Sequence, residues 1–343
     1  MNAMQARAAQ VGVELPAPSS LRVSISRWEN GHLCPHPAHE QLLRDVLEPS
    51  ERQPADTGVA SEGDSLFDLL TQHMESLRRL DRRLGAVNVR QSTSHYVGTL
   101  EAMWHSASGV DRRTIARVQA DTASLAAWQD SDLGDVASAE RHYVAADVAA
   151  SRADSPVLAV HASAQHAVLL AESGRVRAAL AKADSIERQS AGLPATMKSW
   201  LAATTAQVAT HVPNAGPVAL AALRRAEKYL NLADVEEARS IPFLFHDQVH
   251  LMRWTGHVLA RLGDSGAERA IIDSMRAMPS DFSRARCGQR LDLVEAQLAA
   301  RQPGEAGTTL AHAASEVEAL GSVRLRRRHQ LLARRVRPLP MAE

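Results

Sequence analysis

At 343 residues, 45% of them hydrophobic and 23% charged, the chain is long and apolar enough to bury an extended core, which excludes disorder throughout. Its 39 basic residues balance 39 acidic ones, so no overall charge draws it to nucleic acid or membrane, and any such contact must be local. Aromatics are scarce, at 3%, and alanine recurs at packing positions, which favours helices because alanine is the best helix former and a poor strand former.

Residues 1–48 predict a small helical module. Met1 to Val11 has helical composition, and Pro16 and Pro18 stop it. Ser19 or Ser20 can cap a short helix whose stripe is Leu21, Ile25 and Trp28, with Gly31 as its C-terminal cap. Ile25, Trp28 and Gly31 form the expected core of the module, and a helix over Pro37 to Leu47 completes it. Residues 49–63 are polar, contain Pro and Gly and lack periodicity, so they read as a linker. Residues 64–110 predict a heptad helix and a connecting helix. Leu66, Leu70, His73, Leu77, Leu80 and Leu84 repeat in steps of four and three. Such a seam can pair two subunits as a homodimer or pack on the helices that follow it.

Residues 111–337 predict helical hairpins. Gly134 turns the chain, and Ala139, Tyr143 and Ala146 follow at the small-aromatic-small spacing of a tetratricopeptide-type repeat. The same hinge recurs at Gly174, Pro213, Gly263 and Pro303, a period near 40 residues. The basic helix from Val323 to Arg337 closes the array as a polar cap. Cys34 and Cys287 form no disulfide framework. The chain has neither a cationic leader followed by an apolar run nor a membrane-length apolar stretch, so a cytoplasmic protein with no membrane partner is expected.

No phosphate-cradling, dinucleotide-binding, zinc-protease or nucleophile-elbow motif occurs. No catalytic residue, cofactor or metal is therefore expected. His32, Cys34, His36 and His39 are zinc-ligand types, but Pro35 and Pro37 stiffen the loop that carries them. A second group, His246, His250, Arg253 and His257, lies on a predicted helix. With Gly263 as its hinge, His250, Arg253 and His257 point into the concave groove of a repeat array, and His161 takes the corresponding place two hairpins earlier. A groove lined this way suits a peptide carboxylate or a small anionic effector, with the histidines adding charge as pH falls through about 6.5. The plain alternative is a solvated surface.

The run Ile25-Ser26-Arg27-Trp28-Glu29-Asn30-Gly31 resembles the end of the third helix of Xre/Cro-like helix-turn-helix domains. With ESLRRLDRRLGA, WQDSDLGDVASAERHY, HLMRWTGHVLARLGD and GSVRLRRRHQLLARR in order behind it, the chain resembles a group of actinobacterial regulators with a shortened helix-turn-helix and a tetratricopeptide-like body. The resemblance implies an all-α protein, a degenerate helix-turn-helix followed by a tetratricopeptide-like α-solenoid. It also implies DNA as a partner, contacted through Arg22, Ser24, Ser26 and Arg27. Two functions follow. One is a ligand- or peptide-responsive transcriptional regulator; the other is a helical-repeat interaction scaffold whose N-terminal module no longer binds DNA.

Overall fold

A computed structural model describes residues 65–336 except 235, 238 and 239, together with Ala8 and Leu15. The expected DNA contacts Arg22, Ser24, Ser26 and Arg27, the core residues Ile25, Trp28 and Gly31, the histidine-cysteine loop and the linker over 49–63 lie outside the described residues. The described residues from 65 to 336 belong to one compact unit.

The described residues fold into thirteen α-helices and one 3-10 turn. Helix α1 (Leu66–Leu84) leads through the 3-10 turn Ala86–Asn88 to α2 (Arg90–Ser106) and α3 (Gly109–Asp132). Then come α4 (Val136–Arg152), α5 (Pro156–Glu172), α6 (Val176–Gln189), α7 (Ala195–Ala209) and α8 (Gly216–Leu230). The chain ends with α9 (Gln248–Leu262), α10 (Ala267–Ala277), α11 (Ser283–Ala299), α12 (Pro303–Leu320) and α13 (Val323–Val336). Local chemistry sets many of the boundaries. Ser65 and Asp68 form a reciprocal capping box at α1. Asp135 caps α4 by accepting from the Ser138 amide at 3.0 Å, and Pro156 and Pro303 occupy first helical turns.

At every predicted hinge the residue that turns the chain is left-handed. These are Gly134, Gly174 and Gly263, with φ of 79°, 79° and 69°. At the two proline hinges the neighbours Asn214 and Arg301 take the same conformation, with φ of 60° and 62°. Ala139, Tyr143 and Ala146 are buried, and Tyr143 stacks on His166 of α5 with centroids 5.2 Å apart.

The helices form two rows. The odd-numbered helices from α3 to α13 pack each on the next, and α4, α6, α8, α10 and α12 lie against them. The inner row closes on itself, because α11 meets α1 and α13 meets α3. Its closure is close-packed: a Cβ at Gly85, where φ is 81°, would lie 2.5 Å from the Leu320 carbonyl oxygen. Gly85→Ala is therefore expected to lose about 1–3 kcal/mol of stability through overpacking and a disfavoured φ. Urea unfolding at wild-type midpoint would show that the two ends do not meet.

Much of the heptad stripe of α1 is spent inside the chain, on the helices that follow it. Leu70 and Leu77 are buried with Val89, Leu100 and Val118, Leu66 packs against the same cluster, and His73 meets the Tyr96 ring edge-on at 4.4 Å. Leu80 and Leu84 remain exposed, at 46% and 44%. The period reported a buried stripe, but a three-heptad period does not say whether the partner is another chain or the next helix.

The terminal helix exposes Arg326, Arg327, Gln330, Arg334 and Arg335 and packs its other face on the array. Leu325 and Leu332 are buried, while Arg324 and Arg328 reach inward to Asp132, Glu172, Asp292 and Glu295 at 3.4, 3.3, 2.6 and 2.8 Å. The helix seals the ring.

Candidate functional site

The closed row of helices borders a cavity of about 810 Å³, within the range of small-molecule sites. His161, His250, Arg253 and His257, the four residues expected to share a groove, all line it. His246 does not. It packs behind the wall, where the Ser199 hydroxyl donates to the Ala226 carbonyl at 2.7 Å, so that His246 Nε2 must donate to Ser199 at 2.8 Å.

The wall is aromatic and cationic. The chain has only five tryptophans and four phenylalanines, yet Trp128, Trp200, Trp254, Phe243, Phe245 and Phe282 all face this space. Eight arginines meet three carboxylates there. Each carboxylate is already engaged: Asp81 by Arg284, Glu172 by Arg324 at 3.3 Å and Asp292 by Arg328 at 2.6 Å.

Three of the predicted side chains are held by partners on the helices. Asp247 caps α9, accepting from the His250 amide at 2.9 Å and from His250 Nδ1 at 2.7 Å. The hydrogen bond from His250 holds the Asp247 carboxyl down at about 2, below the usual carboxylate range. His257 Nδ1 donates to Asp292 at 2.8 Å. Burial alone would raise the Asp292 pKa, but Arg328 and His257 more than reverse it, so the carboxylate stays charged. His161 is 3% exposed and sits between Trp200 and Phe243, each ring centroid 5.0 Å away. Burial drops its pKa to about 3. It is neutral at physiological pH, which corrects the expectation that all the groove histidines gain charge under mild acid.

Arg253 differs from the arginines engaged by carboxylates. Among the described residues no carboxylate lies within ion-pair distance of it, and its Nε is buried without a hydrogen-bond partner. Its guanidinium lies 4.7 Å over the Trp254 ring. Burial pulls its pKa down to about 10, and the attraction of Asp292 offsets that only in part. The group still carries its charge at neutral pH.

At one end of the cavity stands a buried ion network that joins the two ends of the ring. Arg284 of α11 binds Asp81 of α1 and Asp132 of α3, the latter at 3.3 Å. Asp132 also accepts from Ser322 Oγ at 2.8 Å and from Arg324 Nε at 3.4 Å. Arg324 in turn covers the Trp128 ring at 4.6 Å. Burial acts against the Arg284 charge, but Asp81 and Asp132 outweigh it and raise its pKa above the ordinary arginine value.

This clasp had no local signature, since its residues are scattered along the chain from α1 to α13. Among the described residues no cluster of His, Cys, Asp or Glu suits a metal, and no helix is long and apolar enough to cross a membrane. Comparison with family models, curated proteins and solved structures gives no match for this chain.

Proposed function

We propose that the chain is a cytoplasmic, ligand-responsive transcriptional regulator. Its N-terminal segment carries a shortened Xre/Cro-like helix-turn-helix that contacts DNA through Arg22, Ser24, Ser26 and Arg27. Its body is a tetratricopeptide-like helical array that serves as the sensor. The observation that carries the sensor half is the cavity inside the ring, lined by scarce aromatics and an arginine without a carboxylate. The sequence resemblance supports the DNA half.

A ring closed by noncovalent contacts between distant segments also suits regulation, because a ligand shifts an equilibrium only by binding one arrangement better than another. The test is a pull-down of genomic fragments with the full chain, beside an Arg22→Ala, Arg27→Ala double variant. A few fragments enriched by the wild type and lost in the variant are expected. Equal recovery by both chains overturns the DNA half and leaves the interaction-scaffold reading.

A further inference from the structure

The cavity wall has an unusual polar inventory. His161 Nδ1, Gln165 Oε1, Thr204 Oγ1, Gln207 Oε1, His250 Nε2 and Arg253 Nε are all buried and all lack a protein partner. Buried polar groups are paired in the great majority of cases, and these six unpartnered atoms all belong to residues that line the cavity. Arg253 Nε and the Thr204 hydroxyl donate. His161 Nδ1 donates as well, because the Gln165 amide occupies Nε2 at 3.2 Å and the neutral ring keeps its proton on the other nitrogen. The two glutamine oxygens accept. Arg253 carries a permanent charge, so the wall favours a ligand that presents acceptors to it.

Charge and shape narrow it further. The carboxylates of the cavity are consumed by Arg284, Arg324 and Arg328, which leaves Arg253 as a desolvated cation that only an incoming anion can neutralise. Trp254 lies against the guanidinium, and Trp200 and Phe243 add flat apolar walls to the same cavity. A volume of about 810 Å³ inside the ring of helices holds a small molecule.

We infer that the ring cavity binds a ring-bearing organic anion, its carboxylate or sulfonate on Arg253 and its ring against the aromatic wall. This narrows the sensor reading above and rests on it. The anion is held by a permanent charge, and a charge-assisted hydrogen bond discriminates strongly.

Two fluorescent probes that differ in one group test this on the full chain. 8-Anilinonaphthalene-1-sulfonate is a ring-bearing anion with an N–H donor, and N-phenyl-1-naphthylamine is the same skeleton without the sulfonate. The sulfonate is expected to bind about 10-fold or more tighter than the neutral probe. Arg253→Gln should abolish that advantage and leave the neutral probe unchanged, whereas Arg253→Lys should keep part of it. Arg327→Gln, which removes an exposed arginine of the same cavity, should change neither. Circular dichroism and urea midpoints monitor folding, and if Arg253→Gln does not fold, Arg253→Lys with the Arg327→Gln control still decides. Equal affinity of the wild type for both probes overturns the proposal. So does a loss of discrimination in Arg327→Gln but not in the Arg253 variants. Because no DNA enters this assay, an absence of DNA binding with the probe pattern intact sinks only the regulatory reading, and the converse sinks only the ligand class.

Discussion

Arg284→Ala is expected to lower the unfolding free energy by about 3–5 kcal/mol and to expand the molecule. The arginine is 8% exposed and is shared by Asp81 and Asp132, which are 2% and 1% exposed and come from helices at the other end of the chain. Removing it leaves two buried carboxylates facing each other with less compensation than before, and breaking one partner of a buried pair costs about that much. Asp132 keeps Ser322 and Arg324, so Asp81, whose remaining hydrogen-bond partner is the Gln129 amide at 3.2 Å, suffers more. Adding Asp81→Asn to Arg284→Ala should therefore recover part of the loss, because it removes the charge left stranded. Urea unfolding measures the stability, and small-angle scattering measures the expansion. A loss below about 1 kcal/mol, the size of an exposed arginine's contribution, would mean that this network does not hold the ring shut.

That network also marks the limit of what the sequence made legible. Hinges are local events, and a left-handed residue or a proline announces them, so the turn at each of Gly134, Gly174 and Gly263 was readable directly. Register is local as well. Once Gly263 ended α9, counting back one turn at a time placed His257, Arg253 and His250 on one face, and all three line the cavity. What local patterns do not carry is the identity of a distant partner. Nothing near Asp81 indicates Arg284, which stands about two hundred residues away. Nothing in the stripe of Leu66, Leu70 and Leu77 separates a second chain from α2 and α3. The charge state of His161 was invisible for the same reason, since it depends on Trp200 and Phe243 closing over the ring. The aromatic count did hold a usable signal. In a chain this poor in tryptophan and phenylalanine, Phe243, Phe245 and Phe282 in and beside loops are more than the helix cores require, and they line the cavity.

Stability is expected to fall by about 2 kcal/mol between pH 6 and pH 5, driven by two histidines buried in the neutral state. His161 and His246 are 3% and 7% exposed, and desolvation lowers both to about 3 in the folded chain. In the unfolded chain each returns to an ordinary histidine pKa near 6.5. Above about 6.5 neither state binds the proton and the full stability is present. Between about 6.5 and 3 the unfolded chain takes up protons that the folded chain refuses, so stability declines as pH falls. Each fully engaged histidine contributes about 1.4 kcal/mol per pH unit, and near pH 6 the unfolded rings are only partly protonated. His166 and His211 are also lowered by burial, which adds in the same direction. The carboxylates join later. Glu101, lowered to about 2 chiefly by hydrogen bonds from Arg152 and Gln119, and Asp247, lowered to about 2 by His250, lose their contributions only as pH drops through the unfolded carboxylate range near 4. The interval from pH 6 to pH 5 therefore isolates the histidines. Urea unfolding at both pH values should show the fall in the wild type and less than half of it in a His161→Gln, His246→Asn double variant. If wild type and variant lose the same stability over that unit, these two rings are not held neutral by burial, and His161 would then be free to greet an anion as a cation.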